Sequence, residues 1–593
     1  MDTGGTFTDA VGADGTVAKV PSTPDDPARA VAEAVAALGG TDVLAHGTTV
    51  ATNALLERRG AAVALVTNRG FADVIEIGRQ DRPSLYDPFV DRPVPLVPRD
   101  RRFEVGGRLA ADGTELSPLD AEGLREAVDG AEAVAVCLLH SDRNDAHERA
   151  LGAALAEGGH DVSLSVDVSP EFREVERTIT TVVNAYLRPA CRPYLDRLAS
   201  IAPHALVLTS AAGLLPVADA ALLPAALLLS GPAGGVLAGA AVAQANGYAD
   251  AVTFDMGGTS TDVCLVRGGV PEPAPGLVVG GLPIRLPALD VHTIGAGGGS
   301  IAEVDAGGAL AVGPRSAGAV PGPACYGRGG TEPTVTDADL VLGRIPAEHA
   351  LPGLGALSVE AARTALAAAG VTADGVVAVV DASMEEAVRA VTVARGVDPR
   401  GVALVAFGGA GPLHACAIAE ALGMPCVIVP ARAGVLSAAG ILSAPRRRDL
   451  VRSWPTPSST EGLADALADL ADHAAALVGP GATTEAAVDV RYAGQSHELT
   501  VGDVDAFHAE HHRRNGYADE RAPVEVVALR ARATTASPVS VLDLPELDRV
   551  VGRGPIAIAE PDCTIWVPDG WEATRGEASA LVLRRVSAGG RSR

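Results

Sequence analysis

Two eight-residue stretches, Asp2-Thr-Gly-Gly-Thr-Phe-Thr-Asp9 and Asp255-Met-Gly-Gly-Thr-Ser-Thr-Asp262, agree at six of eight positions although they lie 253 residues apart. Each runs into a short apolar segment, Ala10-Val11 or Val263-Cys-Leu-Val266, and the second also follows one. The unit reads as strand, tight Gly-Gly turn, strand. Glycine tolerates positive φ and carries no Cβ, so the backbone N–H groups around Gly4, Gly5, Gly257 and Gly258 can press against phosphate oxygens. Thr6, Thr8, Thr259 and Thr261 add hydroxyl donors beside the turn. Asp2 and Asp255, at the strand ends, suit a hydrated Mg²⁺, which binds through one or two carboxylates plus substrate phosphates. Two such hairpins facing one another would clamp a nucleotide tail from both sides.

A third glycine turn belongs with them. Ala406-Phe-Gly-Gly-Ala-Gly-Pro412 follows an apolar run and opens a helix, so bare backbone and N-terminal amides at Gly408, Gly409 and Gly411 can border a nucleotide. Ser230-Gly-Pro-Ala-Gly-Gly235 opens an Ala/Val-rich helix in the same anion-friendly way.

Composition removes the other phosphate devices. Among 47 basic residues the one lysine is Lys19, in Val17-Ala-Lys-Val-Pro21. That context is not a Walker A loop, a kinase strand lysine or a pyridoxal Schiff-base lysine. Hydrophobic residues at 48% against 20% charged predict packed cores. Aromatics at only 3% with 68 glycines and 41 prolines favour Ala/Val/Leu-built α/β layers. A net charge of −26 repels a phosphate backbone, so no nucleic-acid partner is expected. Seven scattered cysteines, never spaced Cys-x-x-Cys, read as buried thiols in a reducing cytosol. The most apolar tract, residues 205–243, is broken by Pro216, Asp219, Pro224 and Pro232, and no leader opens the chain. A soluble cytoplasmic protein with no membrane partner is the expectation.

At roughly 150 residues per domain, the 593 residues amount to several units. Apolar runs at residues 62–66 and 133–139 predict buried strands, and residues 49–59 a helix stopped by Gly60. A long helical run at 176–200 carries Pro189 and Pro193, which predict a break or kink between two domains. Strands are expected at 251–255, 402–407 and 426–429, with a loop-rich, Gly/Pro-dense stretch at 295–343. After residue 450 an Ala-rich helix at 462–478 and short strands near 488–501 and 524–532 read as a separate unit. The division is 1–190, 191–447 and 448–593.

Local sequences carry a more specific resemblance. His46-Gly-Thr-Thr-Val-Ala-Thr-Asn-Ala-Leu-Leu-Glu57, Leu139-His-Ser141 with Asn144 and His147-Glu148, and Glu176-Arg-Thr-Ile-Thr-Thr-Val-Val-Asn-Ala-Tyr186 resemble the hydantoinase A/oxoprolinase family. So do Ile294-Gly-Ala-Gly-Gly-Gly-Ser300, Gly313-Pro-Arg-Ser-Ala-Gly-Ala319, Pro321-Gly-Pro-Ala-Cys-Tyr-Gly327, Thr334-Val-Thr-Asp-Ala338, Phe407-Gly-Gly-Ala-Gly-Pro-Leu-His-Ala415 and Arg491-Tyr-Ala-Gly-Gln-Ser496. Two departures stand out. The family has an apolar strand before the first hairpin aspartate where Met1 directly precedes Asp2, for which a misassigned start is the expectation, and residues 537–553 are short for it.

The resemblance implies a duplicated actin-like (ribonuclease-H-like) α/β ATPase core with a smaller mixed α+β C-terminal domain. It implies ATP and Mg²⁺ as cofactors, and ATP-dependent opening of cyclic amides such as 5-oxoproline, hydantoin or N-methylhydantoin by phosphoryl transfer to the carbonyl oxygen. Such a transfer asks mainly for alignment and charge stabilisation. Within it Asp2 and Asp255 are expected to hold metal and Asp9 or Asp262 to position the incoming oxygen or metal waters, with His46 as a further catalytic candidate. Gly408, Gly409 and Gly411 would border adenosine, and Thr48, Thr49, Asn53, Arg79 and His292 would face the acceptor. The family also implies a B-type partner subunit and therefore a hetero-oligomer. An ATP-dependent acetone or acetophenone carboxylase subunit is the alternative on the same step, and a carbohydrate kinase or a non-enzymatic assembly ATPase are more remote ones.

Overall fold

A computed structural model describes residues 1–4, 7–23, 25–274, 276–348 and 355–586. Its framework is one strand plan used twice. The first sheet contains β1 (Asp2–Thr3), β2 (Phe7–Val11), β3 (Val17–Pro21), β4 (Val43–Thr48) and β5 (His204–Leu208) in the order β3-β2-β1-β4-β5. β2 runs antiparallel to both neighbours, while β4 is parallel to β1 and β5 to β4. The second sheet repeats this as β8-β7-β6-β9-β10, from β6 (Ala251–Met256), β7 (Thr261–Arg267), β8 (Val270–Pro271), β9 (Ala403–Phe407) and β10 (Val427–Val429). The parallel and antiparallel pairings are the same. β9 and β10 are buried at every position, which is why they appear in the sequence as unbroken apolar runs.

Helices connect and cover these sheets. α1 (Val50–Leu56) leaves β4, and α2 (Glu174–Ile201) returns the chain to β5. Between them residues 63–164 form a five-stranded sheet of their own, centred on Val63–Asn68 and Ala133–Val136, with its own apolar core. α2 is one continuous helix through Pro189 and Pro193, so of the expected break or kink no break is found. Val182, Val183, Ala185, Leu187, Leu195 and Leu198 lock it into the first core, and that burial outweighs the hydrogen bonds the prolines remove.

α3 (Gly231–Ala245) follows the first sheet in sequence but packs on β6 and β9 of the second. α4 (Gly411–Leu422) opens after β9, as α1 opens after β4. α5 (Leu436–Ser443) follows β10 but packs on β2 and β4 of the first sheet. α3 and α5 cross backbone to backbone. A Cβ on Gly440 would collide with the Gly234 carbonyl, and one on Gly234 would stand 2.5 Å from Ser437 O.

The stretch 295–343 is more ordered than its composition predicts, with a hairpin of Ser300–Val304 and Leu310–Ser316 and a helix at Val335–Val341. Residues 448–593 were expected to stand apart, yet strands among the described ones extend both sheets. Arg446–Ser453, Val524–Thr535, Thr483–Tyr492 and Leu499–Val501 continue the first sheet, whereas Leu581–Arg585, Trp571–Arg575 and Gly552–Arg553 continue the second from β10. The strands are paired because their apolar edges would otherwise be open. All seven cysteines are buried and unpaired by disulfide. Among the described residues no single helix is long and apolar enough to cross a membrane.

Candidate active site

The two hairpins share one hydrogen-bond geometry. Gly4 N–H donates to Phe7 O at 3.0 Å and Gly257 N–H to Ser260 O at 3.1 Å. Asp2 stands opposite Asp9 and Thr3 opposite Thr8, and likewise Asp255 opposite Asp262 and Met256 opposite Thr261. Gly5 and Thr6 lie outside the described residues. Because side chains alternate across a strand, the aspartates occupy one face and Thr8 and Thr261 the other. Both of these threonines are fully buried. Thr8 Oγ1 bonds Thr3 and Ser22, and Thr261 Oγ1 donates to Ala296 O at 2.7 Å. They pin the hairpins from behind, so the expectation that they donate to phosphate is corrected. Thr259 and Gly258, at the turn itself, are exposed.

The aspartate face is short of positive charge. Burial first, and then Asp9, raise Asp2 to about 7. Burial raises Asp255 to about 8, helped by Asp262, Asp2 and Asp9. Burial alone carries Asp262 to about 6, against the Thr293 hydroxyl that donates to it at 2.5 Å. Asp9 is raised too, mainly by burial, despite Lys19 Nζ at 2.7 Å. Asp255 therefore feels carboxylates of both hairpins, and Ser437 of α5, the helix seated on the first sheet, reaches Asp255 Oδ2 at 3.4 Å. The two hairpins thus lie close enough for the carboxylates of the first to act on Asp255 of the second. Four carboxylates with a single lysine among them are the donor chemistry of a hard divalent cation beside phosphate, so Mg²⁺ suits these residues.

Two glycine segments wall the second hairpin. Gly408, at φ +80°, leaves no room for a Cβ, which would strike Asp255 Oδ1 and Met256 O, and Ala410 N–H donates to Met256 O at 2.9 Å. Gly409 is open to solvent and Gly411 starts α4. The other wall was missed as a functional element. Gly298 N–H donates to Gly257 O at 3.0 Å and Gly299 N–H to Gly258 O at 2.7 Å, and a Cβ on Gly297 would lie 2.8 Å from Thr259 N. The three consecutive glycines were its signal, since such close backbone approach admits little else.

The acceptor-side expectations fare less well. Asp2 pairs with Gly47 as Asp255 pairs with Phe407, so the His46-Gly-Thr-Thr segment is the first sheet's equivalent of the Gly408 turn. His46 itself is fully buried, with Nε2 2.5 Å from Tyr194 OH, and burial drops its pKa to about 3. It is a neutral core residue and not a catalytic base. Thr48 is buried, whereas Thr49 is half-buried and accepts from the exposed Asn53 at 3.4 Å. Arg79 is spent on a bidentate pair with Glu176 at 2.7 and 2.6 Å. His292 is the strand partner of Val263, one residue out of phase with Asp262, so alternation turns it away from the aspartate face and puts Thr293 there.

A twofold-repeated five-strand plan, with a carboxylate hairpin from each copy close enough to feel the other, defines an actin-like ATPase fold. Family models described as hydantoinase/oxoprolinase N-terminal region and hydantoinase/oxoprolinase match residues 1–159 and 177–449. The alpha subunit of caprolactamase from Pseudomonas jessenii is 34% identical over 98% of both chains. 5-Oxoprolinase of Saccharomyces cerevisiae is 33% identical over 75% of this chain and 40% of its own length. The crystal structure of the ATP-dependent caprolactamase from P. jessenii superposes with TM-score 0.84 at 32% identity, covering 98% of this chain and 99% of that one. Nucleotide-free acetone carboxylase gives 0.75 at 25% identity over 99% of both. The chain belongs to the hydantoinase/oxoprolinase family.

Proposed function

We propose that the chain is the ATP-using, A-type subunit of a cyclic-amide hydrolase, acting on a lactam or hydantoin ring with Mg²⁺·ATP. The observation that carries this reading is the matched register of two aspartate-bearing hairpins, with carboxylates of both raising Asp255. Amide resonance makes a ring carbonyl sluggish toward water. Phosphoryl transfer from ATP to its oxygen yields an O-phosphorylated imidate and ADP. Water then adds to the imidate carbon, the ring C–N bond breaks with the nitrogen taking a proton to leave a ring-opened acyl phosphate, and a second water releases phosphate and the free carboxylate. The bound Mg²⁺ would offset phosphate charge.

The protein's share is placement. Asp2 and Asp255 would hold the cation, and Asp9 and Asp262, directly across each hairpin, would orient water or the incoming oxygen beside it. Thr259 and the amides of Gly257 and Gly258 take phosphate oxygens, with Gly4, Gly5 and Thr6 as the counterpart in the first hairpin. Gly408, Gly409 and Gly411 border adenosine. Asn53 and Thr49 remain as acceptor-side candidates. A B-type subunit that completes ring opening is part of the reading, in keeping with relatives named as a caprolactamase alpha subunit and an acetophenone carboxylase gamma subunit.

The test is ADP release by the chain with and without its co-expressed partner, across 5-oxoproline, hydantoin, N-methylhydantoin, caprolactam, and acetone plus bicarbonate. A cyclic amide should stimulate release, and strongly only with the partner present. Stimulation by acetone and bicarbonate alone would replace this reading with ketone carboxylation, which the acetone carboxylase likeness keeps as the second reading.

A further inference from the structure

Behind the second hairpin lies a buried charge cluster that the reaction does not use. His414, one turn into α4, is fully buried. Its Nδ1 lies 2.7 Å from Asp381 Oδ1 on the helix Ala373–Val391. Its Nε2 faces Asp339 Oδ2 at 3.2 Å, an ion-pair distance without hydrogen-bond alignment. Asp339 is 1% exposed, sits on the helix Val335–Val341 and has Arg344 at 3.5 Å. Burial alone pulls the imidazole's pKa down, but the two carboxylates outweigh it and push it up to about 10, so the ring is protonated. Two cations then balance two anions.

These residues close a ring around the hairpin. Thr336 on the Val335–Val341 helix donates from both N–H and Oγ1 to Gly298 O at 2.8 Å. Gly298 and Gly299 in turn hold the Gly257 and Gly258 carbonyls. On the other side α4 begins at the Gly408 turn, whose Ala410 N–H holds Met256 O. The two walls meet behind the hairpin where His414 faces Asp339. Replacing a buried ion pair with apolar side chains of the same size is often neutral or stabilising, so stability alone gives little reason for ionised groups here.

Resting on the nucleotide reading above, we infer that His414 is a positioning residue of the cleft, fixing the Gly408 turn and the Gly297-Gly298-Gly299 loop at one separation around the second hairpin. The pair His414–Asp381 sets the helix that follows the adenosine-side turn, and His414–Asp339 ties it to the helix whose Thr336 holds the Gly297-Gly298-Gly299 loop. Neither contact touches substrate.

The test is calorimetric titration of the whole chain with Mg²⁺·ATP, for the native protein and for His414→Gln, Asp381→Asn and the double variant, each with its Tm. The expected result is at least tenfold weaker Kd for both single variants, with the double variant within twofold of His414→Gln. In the partnered enzyme KM for ATP should rise by the same factor while KM for the cyclic amide stays within twofold, a split that a merely destabilised protein would not show. Should His414→Gln fail to fold, Asp381→Asn at the half-buried end decides. Variants that bind ATP within twofold of the native chain overturn the inference and leave the functional reading standing. A native chain that does not bind ATP overturns both.

Discussion

Thr259 and Thr261 stand two positions apart in opposite settings, one hydroxyl at the open turn and the other sealed behind it. Thr259→Ala should weaken ATP binding several-fold by calorimetry with Tm unchanged. Thr261→Val should cost about 1–2 kcal/mol, because Ala296 O loses its donor, and a denaturant midpoint would register it. Asp255→Asn is expected to cut ADP release on the order of 100-fold while raising the Tm of the protein without nucleotide, since it removes a carboxylate that burial and three others disfavour. An unchanged or lowered Tm would contradict that charge balance. For His414 the folded pKa lies above the unfolded one, so its contribution is full below pH 6.5 and fades as pH climbs toward 10. The stability gap between the native chain and His414→Gln, a few kcal/mol at most, should therefore shrink across that window in a series of denaturant melts. The matched placing of the hairpin aspartates in this candidate site was legible in the sequence, because the aspartates and glycines recur at fixed spacing. Thr8, Thr261 and His46 were misplaced because their side-chain direction depends on which strand lies alongside, and His46 meets its partner Tyr194 only through a helix 148 residues further on.

The strand plan of the second sheet was visible as three apolar runs, and all three are strands. Short β1, only Asp2–Thr3, offered no such run. The unbroken α2 shows the limit of local rules, since proline's penalty is fixed but the burial that offsets it is tertiary. The α3–α5 crossing left no periodic trace at all, only glycines inside helices that otherwise cost stability. Gly440→Ala should cost about 3 kcal/mol or more, seen as a lowered Tm, and should weaken ATP binding as well, because the crossing carries Ser437 toward Asp255.

The C-terminal stretch was the least foreseeable part of the architecture. Its strands alternate like those of any small unit, and nothing local says which edge each will find. As Leu581–Arg585 covers β10 and Arg446–Ser453 extends the first sheet, a chain ended at residue 447 should lose cooperative unfolding by calorimetry and accumulate in the insoluble fraction. A soluble, cooperatively melting fragment would show that those edges are dispensable. The contact between Gly234 and Gly440 bears on how such a duplicated polypeptide can change over generations. Since neither position can gain even a methyl group unless the opposite main chain gives way, the two halves are bound to a shared history, and mutational drift in one copy is limited by what the other can accommodate.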